Sequence, residues 1–264
     1  MSRLFLAVLF IFANLGFLSG QTPPRIRVLI LTGVHNHDWR ATTPVFREIL
    51  ERTGRFEVRV NEEVRGNGPE TFASYDVLFL NYNDMRFKNG PWWDDRARQA
   101  MLDFVRNGKG LVCVHGALAA FWGWPEFESL LGGAFREGTG HAPDHSFTVN
   151  IIDNEHPITK GMPPSFTQPV DEFYHRLVLL PDIHVLAKAW DDPQNCVKPG
   201  QACGSGKDEP VMWTHIYGIG RVFVMAPGDN VKPMQGLGFQ LTLQRGTEWA
   251  GTGQVTIPVP PDLT

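Results

Sequence analysis

The chain has 264 residues, with 24 Lys and Arg against 28 Asp and Glu and a net charge of -4 when histidine is neutral. No run of basic residues breaks that balance, which excludes a nucleic-acid surface as the main function. The 27 glycines and 20 prolines call for many turns and long loops, and the 8 tryptophans and 18 phenylalanines supply both core bulk and flat faces on which sugars stack.

The N-terminus comes first. Arg3 precedes an apolar run from Leu4 to Leu18, broken only by Asn14 and Gly16, and Ser19-Gly20 then leads into polar Gln21-Thr22. This is the pattern of a cleaved secretory signal over residues 1–20, which sends the protein to the periplasm or outside the cell and leaves no membrane anchor. No later stretch approaches the ~20 apolar residues that a span requires. What remains suits one domain over residues 25–251 and a Pro-rich tail over 252–264.

Arg25 to Leu31 reads as a short apolar strand, followed by a helix with Thr43 as cap and Pro44 in its first turn. Phe56 to Asn61 alternates like a strand, and Asp76 to Tyr82 is a continuous apolar run, as expected where both faces are covered. Trp93, Ala97, Ala100, Met101, Phe104 and Val105 repeat at helical spacing from Pro91 to Asn107. Gly110 to Val114 is then a buried strand that turns sharply at His115-Gly116-Ala117, ahead of an aromatic loop and a short helix from Pro125 to Gly132. Strands alternating with helices predict an α/β three-layer sandwich around a mainly parallel sheet, of amidotransferase or flavodoxin type.

The second half changes character. Ser146 to Ile152, His184 to Trp190, Val211 to Tyr217 and Arg221 to Pro227 read as strands joined mostly by turns, the last two as a hairpin about Gly218-Ile219-Gly220. A final helix is expected from Phe239 to Trp249. Cys113 lies in an apolar strand and reads as an inert thiol, whereas Cys196 and Cys203 flank a Pro/Gly-rich excursion and should pair in an oxidising compartment.

Polar residues gather where strands end. His35 and His37 follow the first strand, Asp84 the third and His115 the fourth, and on a parallel sheet those ends line one crevice. Histidines with a carboxylate can hold a divalent metal such as zinc, with His35 and His37 as ligands, or move protons on a sugar. Trp39 and Trp122 would wall such a crevice. His141 and His145 share the spacing of helical zinc ligands, but Gly138, Gly140 and Pro143 argue against a helix; His145 can still fold over the site from a loop. In Asp171-Glu172-Phe173-Tyr174-His175, strand alternation puts Glu172 and Tyr174 on one face and Asp171 and His175 on the other.

The turn at His115 has the layout of a nucleophile elbow, which needs small neighbours. Cys113, between Val112 and Val114, cannot occupy it; His115, before Gly116 and Ala117, can. The chain therefore resembles class I glutamine amidotransferases in layout without their thiol. The segments His115–Trp122, Leu130–Phe135, His156–Pro163, Asp171–His175 and Tyr217–Asn230 resemble, in order, the ThuA-like, trehalose-utilisation proteins, over nearly all of the chain after residue 25. That resemblance implies carbohydrate metabolism on an amidotransferase-like fold. Where many relatives have a Gly-His pair after the penultimate strand, this chain has Gly228-Asp229, so Asp229 would act there as ligand or base. The expectation is an exported protein acting on a small-molecule sugar or keto-glycoside, with His115, Glu172 and Asp229 catalytic and Trp39, Asp84, Trp122, His145 and Tyr174 binding substrate. The alternative is a non-catalytic carbohydrate-binding or sensing domain.

Overall fold

The computed structural model describes residues 24–86, 93–196 and 203–263; the expected signal segment, and the Pro91 start of the second long helix, lie outside them. In chain order, β1 (Ile26–Leu31) leads into α1 (Trp39–Glu51), then β2 (Phe56–Asn61), α2 (Pro69–Phe72), β3 (Val77–Leu80), α3 (Asp95–Arg106) and β4 (Gly110–Val114). A 3-10 turn over His115–Ala119 follows, then α4 (Pro125–Leu131), β5 (Gly133–Ala134), β6 (Gly140–Ile151), β7 (Ser165–His175), β8 (Val178–Leu179) and β9 (His184–Trp190). The chain closes with β10 (Asp208–Tyr217), β11 (Gly220–Met225), a second 3-10 turn and α5 (Leu237–Thr252).

Nine strands form one sheet in the order β2-β1-β3-β4-β11-β10-β9-β6-β7, and β5 pairs with β8 separately. The pairs from β2 to β11 are parallel, and those from β11 to β7 are antiparallel. The second half is thus more than a hairpin beside a parallel sheet: it extends the same sheet by four antiparallel strands.

Alternation along β1 shows why the parallel half is buried on both faces. Val28 and Ile30 pack with Phe46, Ile49 and Leu50 of α1 and Phe239 and Leu243 of α5. Leu29 and Leu31 join Met101 and Val105 of α3 and Phe127 and Leu131 of α4 on the other face. Burying each such side chain contributes about 1.5–3 kcal/mol, so the strand's position between the two helical layers is strongly specified.

The first helix starts earlier than expected. The Asp38 side chain accepts from the Ala41 N–H at 3.1 Å and caps it, Trp39 is already helical, and Pro44 sits inside the helix rather than in its first turn. A similar cap, Asp94 accepting from Ala97 N–H at 2.8 Å, starts α3. β6 likewise begins at Gly140, before the expected Ser146, with register shifts on either side of the His145 pairing. Cys196 and Cys203 form the expected disulfide, and Cys113 is a free, fully buried thiol whose pKa is pushed far up by that burial. Among the described residues, no helix is long and apolar enough to cross a membrane.

Candidate functional site

The backbone at the end of β4 is forced. His115 has φ 45°, a left-handed conformation that costs a non-glycine residue about 1–3 kcal/mol and persists only where its surroundings hold it. Here a 2.7 Å hydrogen bond joins His115 Nδ1 to the Ala226 carbonyl beyond β11. The carbonyl can only accept, so in the neutral ring Nδ1 carries the proton and Nε2 the lone pair. Gly116 is required by close approach: a Cβ there would lie 2.4 Å from the His35 ring. The Asn83 side chain donates to the Gly116 carbonyl at 2.6 Å, tying the turn to the loop after β3.

Around Nε2 the structure gathers four groups. His37, His115, Glu172 and Asp229 each offer one ligand atom, and these atoms all lie within 4.8 Å of one another. His115 Nε2 is 3.5 Å from Glu172 Oε2 and 3.8 Å from Asp229 Oδ1, yet it is buried with no aligned hydrogen bond. His37 Nδ1 touches Asp229 Oδ1, and the His37 and His115 rings are 5.0 Å apart, well within the span of one metal. An unpartnered imidazole nitrogen facing two carboxylates is a donor set for a borderline divalent ion. The Asn36 amide nitrogen bonds His37 Nε2 at 3.0 Å, while its oxygen is buried without a partner. Turning that amide over would put the oxygen opposite Nε2–H and free Nδ1 to ligate.

The charges support one another. Burial alone would lower the His115 pKa, but the Glu172 contact and the charges of Asp171, Glu172 and Asp229 outweigh it and raise it. Burial pushes Asp229 up, and the His37 hydrogen bond with the neighbouring imidazoles brings it far below the usual carboxylate range. Glu172 is likewise held below its ordinary value by His115, against its own burial.

β7 contributes with both faces, as alternation predicts. Glu172 and Tyr174 point to the cluster, where the Tyr174 ring stacks on His115 at 4.2 Å. Asp171 turns the other way and accepts from Gly228 N–H at 2.8 Å and Asp229 N–H at 3.0 Å, fixing the turn that presents Asp229. Its burial raises the Asp171 pKa to about 6. That anchoring carboxylate was invisible in the sequence, because the bland face of a strand carries no signal for a loop packed on it from elsewhere.

Beside the cluster lies a cavity of about 130 Å³ lined by Asn36, His37, Met85, Arg86, Ala119, Phe135, His141, Glu172 and Tyr174. Its lining mixes apolar and aromatic side chains with polar ones, as a site for a sugar ring needs. Several expected site residues stand elsewhere. His35 is no part of the four-group cluster: its Nδ1 accepts from the His37 N–H at 2.9 Å, and burial followed by repulsion from His37 and His115 lowers its pKa to about 3. Asp84 accepts from the Phe121 N–H at 2.8 Å and so braces the loop after the turn. Trp39 lines separate grooves with Arg40 and Glu62, not the cavity. Trp122 is 48 % exposed and faces Arg136. His145 packs near Phe147 and Phe173, its Nδ1 bonded to the Pro143 carbonyl at 2.7 Å, because the register shifts around it turn it from the cavity.

A family model described as trehalose utilisation (ThuA) matches residues 27–250. Among solved structures, a ThuA-like protein from Parabacteroides merdae is similar at 31 % identity and a TM-score of 0.79, covering 90 % of this chain and 94 % of that one. A ThuA-like protein from Bacteroides uniformis follows at 22 % identity and a TM-score of 0.64, over 91 % and 98 %. A cytoplasmic protein from Salmonella typhimurium shares the fold at 15 % identity and a TM-score of 0.57, over 83 % and 98 %. No curated protein matches.

Proposed function

The chain belongs to the ThuA, trehalose-utilisation, family, and from that premise we propose that it is an exported enzyme acting on a sugar or keto-glycoside at the His37, His115, Glu172 and Asp229 cluster. The observation that carries this reading is His115 Nε2, buried and without a hydrogen bond among two carboxylates and a second imidazole. Those four side chains would hold a divalent metal such as zinc, which would polarise a carbonyl or hydroxyl oxygen of the sugar. Phe135 and Tyr174 offer the ring an apolar wall, while Asn36 and Arg86 offer hydrogen bonds to its hydroxyls. Export is supported by the N-terminal pattern in the sequence and is compatible with the disulfide.

The reading as a sugar-binding module without catalysis has less support. Its stacking residues, Trp39, Trp122 and Trp124, do not line this cavity, and stacking would not require an orphaned imidazole nitrogen between carboxylates. The test uses purified protein, its metal content measured, against a panel of glycosides and keto-glycosides. One divalent ion per chain and turnover that is lost in His115→Ala would support the proposal. A protein that binds sugars unchanged, with no metal and no turnover, would overturn it.

A further inference from the structure

The four cluster groups leave the site short of a group to move protons. If His37, His115, Glu172 and Asp229 are committed to a metal, their lone pairs are occupied. The other polar side chains of the cavity are Asn36 and Arg86, which do not exchange protons near neutrality, and Tyr174, which burial holds well above its ordinary pKa. Phe135, Met85 and Ala119 are apolar. One imidazole remains: His141.

Its geometry fits the task. His141 pairs across β6 and β7 with Tyr174, so the strand register itself aims it at the cavity. Its Nδ1 lies 3.1 Å from the Ala142 carbonyl and 3.5 Å from Glu172 Oε1, both acceptors, so the proton of the neutral ring sits on Nδ1 and the lone pair on Nε2. Glu172 meanwhile turns its other oxygen, Oε2, to His115. One carboxylate thus faces the cluster with one oxygen and orients His141 with the other. The His141 side chain is 36 % exposed, against 2 % for His115, so it can trade protons with solvent between turnovers as His115 cannot.

We propose that His141 is the general acid–base of this site. The proposal rests on the metal-centre reading above and adds the residue that moves the proton. Nε2 takes the proton from the carbon beside a keto-sugar carbonyl, and the electron pair stays on the substrate as an enolate. That pair then forms a C=C bond to the next carbon as the C–O bond there breaks, and the imidazolium, its Nδ1–H held by Ala142 and Glu172, gives the same proton to the departing oxygen. Charge and atoms balance without any further reactant. A positioned acid–base of this kind contributes roughly 100- to 10,000-fold to a rate.

The experiment uses the full mature chain loaded with zinc, a 4-nitrophenyl keto-glucoside and its unoxidised parent as probes, and His141→Gln and His141→Ala. The expected result is zinc affinity within threefold of the parent by calorimetry and turnover reduced at least 100-fold. Added imidazole should restore part of the activity of His141→Ala but not of His115→Ala. Loss of zinc binding in His141→Gln would make His141 a ligand and overturn the assignment, as would unchanged turnover. If the parent protein itself binds no zinc or turns over neither probe, the metal-centre reading fails first and this proposal with it.

Discussion

The parallel half of the sheet delivers its site residues from loops, and the antiparallel half delivers them from the strands themselves. His37, His115 and Asp229 each follow the carboxyl end of β1, β4 or β11, where backbone polar groups need partners and polar side chains are common. Glu172, Tyr174 and His141 lie inside β7 and β6, fixed by cross-strand register. The first arrangement allows turns of unusual conformation, such as φ 45° at His115. The second gives precise direction with little freedom. The site therefore joins an adjustable set of groups to a rigid set, and Asp171 ties the two by bonding the Gly228-Asp229 turn from β7.

The sharpest way to break that comparison is to remove a group from the loop set. His115→Ala should weaken zinc binding by roughly 1,000-fold or more, since it deletes the one unpartnered ligand nitrogen. Calorimetry with zinc would show it, and near-parental affinity would mean that His37, Glu172 and Asp229 suffice without it. Asp171→Asn tests the tie between the halves. It sets an amide N–H against a backbone N–H, and should cost about 10- to 100-fold in zinc affinity, the range for groups that orient a ligand. Unchanged affinity would show that the Asp229 turn holds its form without β7.

The antiparallel half can be loosened by itself. Replacing Cys196 and Cys203 by serine opens a short loop whose carbonyl at Cys203 accepts from Arg176, the residue after β7. The expected loss is about 2 kcal/mol of stability from the freed unfolded chain, with zinc affinity little changed. Denaturant unfolding would measure it; a large fall in zinc affinity instead would show that the loop helps to aim Glu172 and His141.

The smallest effect is that of pH on the parallel half. His35 is held neutral, its pKa lowered to about 3 by burial and then by the neighbouring imidazoles, whereas the unfolded chain takes up that proton near pH 6.5. The unfolded state therefore gains protons that the folded state refuses, so stability is full above about pH 6.5 and falls as pH drops from there toward 3. His156, lowered to about 4 chiefly by burial, adds in the same direction. Between pH 7 and 5.5 the His35 share is about 1 kcal/mol in metal-free protein. His35→Gln should flatten that part of the unfolding profile, and an equally steep profile would place the proton elsewhere.

The sequence by itself determined the parallel half. Apolar runs covered on both faces, amphipathic helices of ordinary length and the glycine after His115 are local signals, and each leaves its mark within a few residues. It also located both cysteines of the disulfide and excluded Cys113 from the turn, because β-branched neighbours are a local obstacle. Strand alternation sorted Glu172 and Tyr174 from Asp171 correctly, since the period of two is written in the chain. Which of the many polar residues would meet was a different matter. β7 is the last strand in the sheet order, farthest from β1 by pairing, yet Glu172 reaches His115 and Gln168 reaches the Pro233 carbonyl at 3.4 Å. The antiparallel half must curl back over the carboxyl ends of the parallel strands for that to happen. Curl accumulates from small twists between many strands, so no single segment encodes it. That is why His37 and His115 could be named from their loops, while the turn of His145 away from the cavity and of His141 toward it was decided only by the register shifts in β6 and the packing of the whole sheet.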